Sequence, residues 1–251
     1  MSQVSSRASS RPAGAGRAGT VLVVTGTGTG VGKTVATAAI ATLAVARGAR
    51  VAVLKPAQTG IRPGYANGDV PDVDVVTRLS GVTDTHELAR YPEPLSPEAA
   101  ARASGLAPVS MADVADYAAK LALDRDLVLV EGAGGLLVRY DGRGATIADL
   151  AASIGAPALI VAAAGLGTLN HVALTLEALR ARHIPSAGVV IGSWPREPGL
   201  AEITNLADLE AIAREPLAGI LPAGAGQLND RDFAAMAQAS LTPRLGGLRG
   251  A

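Results

Sequence analysis

Apolar residues along this chain fall into short unbroken runs separated by longer stretches with helical spacing, the alternation expected of strands buried on both faces and the helices that cover them. Val21 to Thr25 reads as a first strand, and Lys33 to Ala46 as a helix closed by Gly48. Arg50 to Lys55 is a second strand, stopped by Pro56. Gly, Pro and Asn between Gly60 and Pro71 mark a mobile loop, after which Asp72 to Ser80 is helical and Gly81 ends it. Met111 to Leu123 is a helix leading into a strand from Asp126 to Val130 that ends at Glu131. Ala158 to Ala163 is a further buried strand, followed by the loop Gly165 to Leu169 and a helix from about Asn170 to Arg182. Val189 to Gly192 and Ala218 to Leu221 complete the strand set.

Strands and helices alternating at these intervals imply one α/β domain, a doubly wound and mostly parallel sheet with helices on both faces and right-handed crossovers. Functional loops then gather at the carboxyl ends of the strands. Residues 1–19 contain no acid and are rich in Ser, Arg, Ala and Gly, so they are expected to form a disordered tail before a domain at 20–251. The tail lacks the apolar stripe of an organelle transit peptide.

Composition narrows the function. The 22 basic and 22 acidic residues cancel, leaving no field to draw the protein to nucleic acid or an anionic membrane. No apolar run approaches the roughly 20 residues that span a bilayer, so a soluble protein with a small-molecule substrate is expected. With no cysteine, thiolate catalysis, thiolate metal sites and disulfides are excluded. Only three of the 22 basic residues are lysines, Lys33, Lys55 and Lys120, against an arginine background. A compact ammonium and a planar guanidinium do different chemistry, so each lysine is a candidate for a task that arginine would not perform.

The strongest motif is Gly26-Thr27-Gly28-Thr29-Gly30-Val31-Gly32-Lys33-Thr34, placed between the first strand and the first helix. Small residues there let successive N–H groups face a polyphosphate, Lys33 supplies a charge, and the Thr34 hydroxyl can ligate the accompanying magnesium. The generic pattern G-x-x-x-x-G-K-[ST] would require glycine at position 27, where the chain has Thr27, and counting from Gly26 leaves five intervening residues. A glycine-rich turn without a ligand is the plainer alternative, disfavoured by the Gly-Lys-Thr ending.

Other candidates lie where a parallel sheet would bring them to the same edge. Lys55 ends the second strand and can face a γ-phosphate, or can be only a solvated strand-terminal lysine. Glu131, followed by Gly132-Ala133-Gly134-Gly135, suits a direct or water-mediated magnesium ligand, or is an ordinary acid at a strand end. Asp69, Asp72 and Asp74 form an acidic cluster whose plain reading is a solvated helix start. The loop before Asn170 offers N–H groups and a helix dipole to a carboxylate, while Asn170 alone could be just an N-cap. His171 reads as a helix-surface residue.

Taken in order, Thr25 through Thr34, Lys55-Pro56 with Thr59-Gly60, Glu131 through Gly135, and Leu166-Gly167-Thr168-Leu169-Asn170-His171 resemble the ATP-dependent dethiobiotin synthetases over nearly everything from Thr20 onward. The longer phosphate loop is that family's own form of the P-loop NTPase motif. The resemblance implies that 7,8-diaminononanoate, carbon dioxide and a nucleoside triphosphate give dethiobiotin, the diphosphate and phosphate, through a carbamate and its phosphoric anhydride. Thr29 to Thr34 and Glu131 to Gly134 would hold the phosphates, with Lys33 and Lys55 as catalytic cations. Thr34, Asp72 and Glu131 would hold Mg2+. Asp72 is preferred because its spacing to Arg78-Leu79-Ser80-Gly81 matches the family, with Asp69 and Asp74 left possible. Thr59 would contact the diamine, and Gly167, Thr168, Leu169 and Asn170 of a partner chain its distal carboxylate, which implies a cytoplasmic homodimer. Gly192, Ser193, Pro222, Ala223 and Gly224 would form the base pocket. Many relatives carry an Asn-Arg pair where this chain has Gly192-Ser193-Trp194, so base preference stays open.

Two other classes compete. Switch ATPases of the chromosome-partitioning or septum-positioning type share the fold and the loop, but carry a lysine five residues before the phosphate-loop lysine. Gly28 stands there in this chain. Amidotransferase-linked cobyrinate synthetases carry a glutaminase domain with a cysteine nucleophile, which 251 residues without cysteine do not accommodate.

Overall fold

The computed structural model describes residues 18–61 and 70–250. In chain order its elements are β1 (Thr20–Gly26), α1 (Lys33–Ala46), β2 (Val51–Lys55), β3 (Gln58–Thr59), α2 (Asp72–Ser80), β4 (Thr85–Glu87), β5 (Arg90–Tyr91), α3 (Pro97–Ser104), α4 (Met111–Asp124), β6 (Leu127–Gly135), α5 (Ile147–Ser153), β7 (Ala158–Ala162), α6 (Thr168–Ala181), β8 (Ser186–Trp194), α7 (Leu200–Ala213), β9 (Gly219–Pro222) and α8 (Asp230–Ser240). Most of the expected tail, residues 1–17, most of the expected loop, residues 62–69, and with it Asp69, lie outside the described residues. Gly19, assigned to the tail by composition, donates its N–H to the Ala122 carbonyl at 2.7 Å.

Seven strands form one sheet in the order β4-β2-β6-β1-β7-β8-β9, and every neighbouring pair is parallel. Side chains alternate across it. Val23, Val128, Val130 and Ile160 point into one core with α4, α5, α6 and α7, while Leu22, Val24, Leu129, Leu159 and Val161 point into the other with α1, α2 and α8. This is the doubly wound arrangement, with strand order reversing beside β1, the position where such sheets open a crevice for ligands. The described residues contain no helix long and apolar enough to cross a membrane.

The predicted boundaries hold best where turn chemistry is explicit. Gly81 caps α2 at φ 73°, and Gly48 follows α1 at φ 81°, both in the left-handed region that glycine enters without a Cβ clash. Other boundaries move, most clearly at β6, β8 and α6. β6 runs on to Gly135 instead of stopping at Glu131, because small residues allow Gly135 to stay paired opposite Gly26 after a register break. β8 starts at Ser186, ahead of the apolar run that marks it. α6 starts at Thr168, so its N-cap is Gly167 and Asn170 falls inside the first turn.

One close approach fixes the phosphate loop to the sheet. A Cβ on Gly192, in β8, would lie 2.0 Å from the Val31 carbonyl oxygen and 2.6 Å from Val161 Cγ1, and a Cβ on Gly32 would lie 2.4 Å from the Gly192 carbonyl oxygen. Backbone thus rests on backbone, and Gly32 also takes φ 96°. Gly192→Ala is expected to force the loop off the sheet, destabilising the fold by about 1–3 kcal/mol or more. Thermal unfolding and nucleotide-analogue affinity measured together check this; an unchanged Tm with unchanged affinity would show that the packing is looser than described.

Candidate functional site

The carboxyl edge of the sheet carries a cavity of about 610 Å³ lined, among others, by Thr29, Gly30, Gly32, Lys33 and Thr34 of the phosphate loop and α1, Lys55 of β2, Thr59 of β3, Asp72 of α2, and Glu131, Ala133 and Gly134 of β6. Five separate elements therefore deliver the residues that sequence spacing singled out.

At its centre is the Lys55 ammonium, almost without solvent exposure. It pairs with Glu131 Oε1 at 2.9 Å and with Asp72 Oδ2, and lies 3.5 Å from the Gly132 carbonyl oxygen. Burial works against its charge, but Glu131 and Asp72 outweigh it and raise its pKa above the ordinary lysine value. Lys55 is thus a permanent cation, suited to stabilising developing negative charge and unsuited to accepting a proton. The same pairing holds the Asp72 carboxyl below its ordinary value despite burial. The Thr34 hydroxyl donates to Glu131 Oε1 at 2.8 Å, closing a network of two carboxylates, a hydroxyl and an ammonium.

Lys33 belongs to the same cavity, with its ammonium donating to the Gly28 carbonyl at 2.8 Å. Burial, joined by the charge of Lys55, holds its pKa down to about 8. A polyphosphate arriving at the loop would supply the counter-charge that raises it again.

Asp72 is singled out from its neighbours by position. Asp74, in the same first turn of α2, is exposed, while Asp72 turns inward to Lys55. Pro71 precedes α2 and has no side chain able to cap it; instead Gln58 Oε1 accepts the Asp72 N–H at 3.0 Å. Gln58 is buried and lines the cavity, and sequence reasoning did not identify it. A glutamine beside the Thr59-Gly60 motif offered no pattern to read. The segment Pro94 to Pro97 and Val138 also line the cavity without a sequence signal.

Several predicted residues stand apart. Gly192 is buried beneath the loop, Ser193 and Pro222 are exposed at the ends of β8 and β9, and Ala223 donates its N–H to the Trp194 carbonyl at 2.7 Å. Gly224, at φ 83°, begins the turn that follows. Gly167 to Asn170 open α6 and are not among the residues that line the cavity, and Thr168 turns its hydroxyl inward to the Ala163 carbonyl at 2.7 Å. Beside them is a smaller hollow of about 210 Å³ lined by residues including Leu137, His171 and Leu174.

Two carboxylates and a hydroxyl make an all-oxygen donor set of the kind that holds magnesium with the help of nucleotide phosphates. Among the described residues no group of three or more His, Asp and Glu side chains is placed to hold a metal unaided.

Known proteins match this chain at both levels. A family model described as an AAA domain covers residues 20–227. In fold, the chain is similar to the septum site-determining protein MinD complexed with Mg-ADP from Pyrococcus horikoshii, with TM-score 0.58 at 13% identity over 90% of this chain and 94% of that one. It is also similar to a Cyanothece McdA–ATP complex, with TM-score 0.56 at 16% identity over 94% of this chain and 100% of that one. In sequence it is 62% identical to the ATP-dependent dethiobiotin synthetase BioD of Frankia casuarinae, over 91% of this chain and 94% of the relative. Identity to the protein of the same name from Streptomyces avermitilis is 60%, over 90% of this chain and 94% of the relative. The solved structures thus share the fold at low identity, and the synthetases share the sequence over about nine-tenths of the chain: the chain belongs to the ATP-dependent dethiobiotin synthetase family.

Proposed function

We propose that this protein makes dethiobiotin in the cytoplasm from 7,8-diaminononanoate, carbon dioxide and a nucleoside triphosphate, ATP in the first instance. The observation that carries the reading is the buried Lys55 ammonium, set between Glu131 and Asp72 in the same cavity as the phosphate loop. A phosphate loop alone binds nucleotide; a permanent cation facing it gives a second anion a place to meet the γ-phosphate.

In this reading one amine of the diamine adds to carbon dioxide and becomes a carbamate. A carbamate oxygen takes the γ-phosphoryl group, giving a carbamic-phosphoric anhydride, and the second amine attacks its carbonyl, closing the ureido ring and expelling phosphate. Lys33 and the N–H groups of Thr29 to Thr34 bind the phosphates, Lys55 holds the carbamate against the transferred group, and Thr59 orients the diamine. Thr34, Asp72 and Glu131 would hold magnesium, which when bound neutralises charge on the phosphate oxygens. Gly132, Ala133 and Gly134 allow close backbone approach beside Thr29.

A homodimer completes the site in this proposal. Gly167 to Asn170 do not line the chain's own cavity, and Leu166, Leu174 and Leu137 beside them are 94%, 56% and 47% exposed. Such an apolar patch around a helix N-terminus suits a second copy whose diamine carboxylate is received there. The base would lie between Ser193 and Pro222 to Gly224, over the Gly192 that supports the loop. With no side-chain amide at 192 or 193, discrimination among bases is expected to be weak.

Phosphate release by the purified protein is expected to require bicarbonate and the diamine together, with product mass spectrometry giving dethiobiotin from ATP, CTP and GTP in turn. Fast hydrolysis with neither substrate, stimulated by DNA or lipid, would support a switch ATPase instead. Lys55→Ala is expected to lower turnover by at least about 100-fold while an ATP analogue still binds. The same variant leaves Glu131 and Asp72 without their cation, so its fold should lose about 3 kcal/mol, partly restored by magnesium in thermal unfolding. Retained turnover would remove Lys55 from the mechanism.

A further inference from the structure

Tyr140 lies outside every motif of the site, yet it is among the largest side chains with no solvent exposure. Buried tyrosines keep a polar end that must find a partner. Here the hydroxyl oxygen accepts the Ala133 N–H at 2.6 Å. Ala133 lines the cavity two residues beyond Glu131, in the stretch where pairing with β1 lapses between Val24 opposite Glu131 and Gly26 opposite Gly135.

The ring is braced from behind. The Tyr140 N–H donates to the Ala145 carbonyl at 2.8 Å, Arg139 and Thr146 form an antiparallel bridge, and Thr146 with Asp149 makes a capping box at the start of α5. In front of it Gly132 lies close: a Cβ there would meet the Tyr140 hydroxyl at 3.6 Å and Ile147 at 3.5 Å, in ordinary van der Waals contact. Burial pushes the phenol above its ordinary pKa, so it remains protonated, with Lys55 and Glu131 the charges it feels.

We infer that Tyr140 is a positioning residue for phosphoryl transfer: by accepting the Ala133 amide it sets the bend of the Glu131–Gly135 segment. That bend places both the Glu131 carboxylate and the Gly132 carbonyl against Lys55. Without the hydroxyl, the half-buried Ala133 N–H loses its acceptor within the protein, and the segment gains by turning toward solvent or nucleotide. The kinetic part of the inference rests on the dethiobiotin reading.

Tyr140→Phe removes only the oxygen, and Tyr117→Phe serves as its control. The Tyr117 hydroxyl bonds His86 Nδ1 at 2.9 Å on α4, away from the cavity. Both variants are expected to lose thermal stability, but only Tyr140→Phe should lose kcat, by about tenfold, with a raised KM for magnesium and ATP-analogue affinity within about twofold of the parent. A kcat for Tyr140→Phe within about twofold of the Tyr117→Phe value would overturn the inference, leaving Tyr140 as core filling. If Tyr140→Phe does not fold, amide exchange in the parent protein decides. Slow exchange at Ala133 is expected, and exchange at the rate of an open amide overturns it. A parent protein that forms no dethiobiotin counts against the proposed function, whereas normal parent turnover with an unimpaired Tyr140→Phe counts against Tyr140 alone.

Discussion

The organisation of the nucleotide edge depends on one buried cation. Lys55 has almost no contact with water, and an ammonium in that setting persists only with close counter-charges. Glu131 and Asp72 supply them from β6 and from the first turn of α2. Satisfying Lys55 therefore draws three elements together, and Thr34 joins through the same Glu131 oxygen. The groups that answer the lysine are also those expected to hold magnesium. Entry of metal and polyphosphate would give Lys55 and the two carboxylates new partners of opposite charge.

That network needs a loop held still, and close backbone contact provides it. Gly32 and Gly192 rest on one another where any side chain would collide. Behind the loop, α1 turns a nearly continuous run from Ala36 to Ala44 into the core. Small side chains let the helix lie close to the sheet, and the fixed first turn then presents Lys33 and Thr34 at a defined height.

Much of this was legible in the sequence because its determinants are local. Strands buried on both faces write apolar runs, glycine C-caps mark helix ends, and the phosphate loop is a contiguous stretch whose residue types follow from its ligand. Lys55 and Glu131 were found by being polar residues at the ends of such runs. What escaped depends on contacts between distant segments. Gln58 caps α2 across 14 residues, and Tyr140 reaches back seven residues to Ala133, with no periodicity to announce either. The short strands β3, β4 and β5 carry too few residues for an alternation to register. Glycine at 192 announces the absence of a side chain and not what fills the space, which is the phosphate loop itself.

In the proposed reaction the γ-phosphoryl group passes to a carbamate oxygen beside Lys55 and not to water. The most direct measurement supplies 18O-labelled bicarbonate with the diamine and nucleotide in a single turnover and reads the released phosphate by mass spectrometry. Phosphate that carries one oxygen from the bicarbonate is the predicted result, because the bond broken at ring closure leaves the carbamate oxygen on phosphorus. Phosphate free of label, formed at the same rate as dethiobiotin, would contradict it.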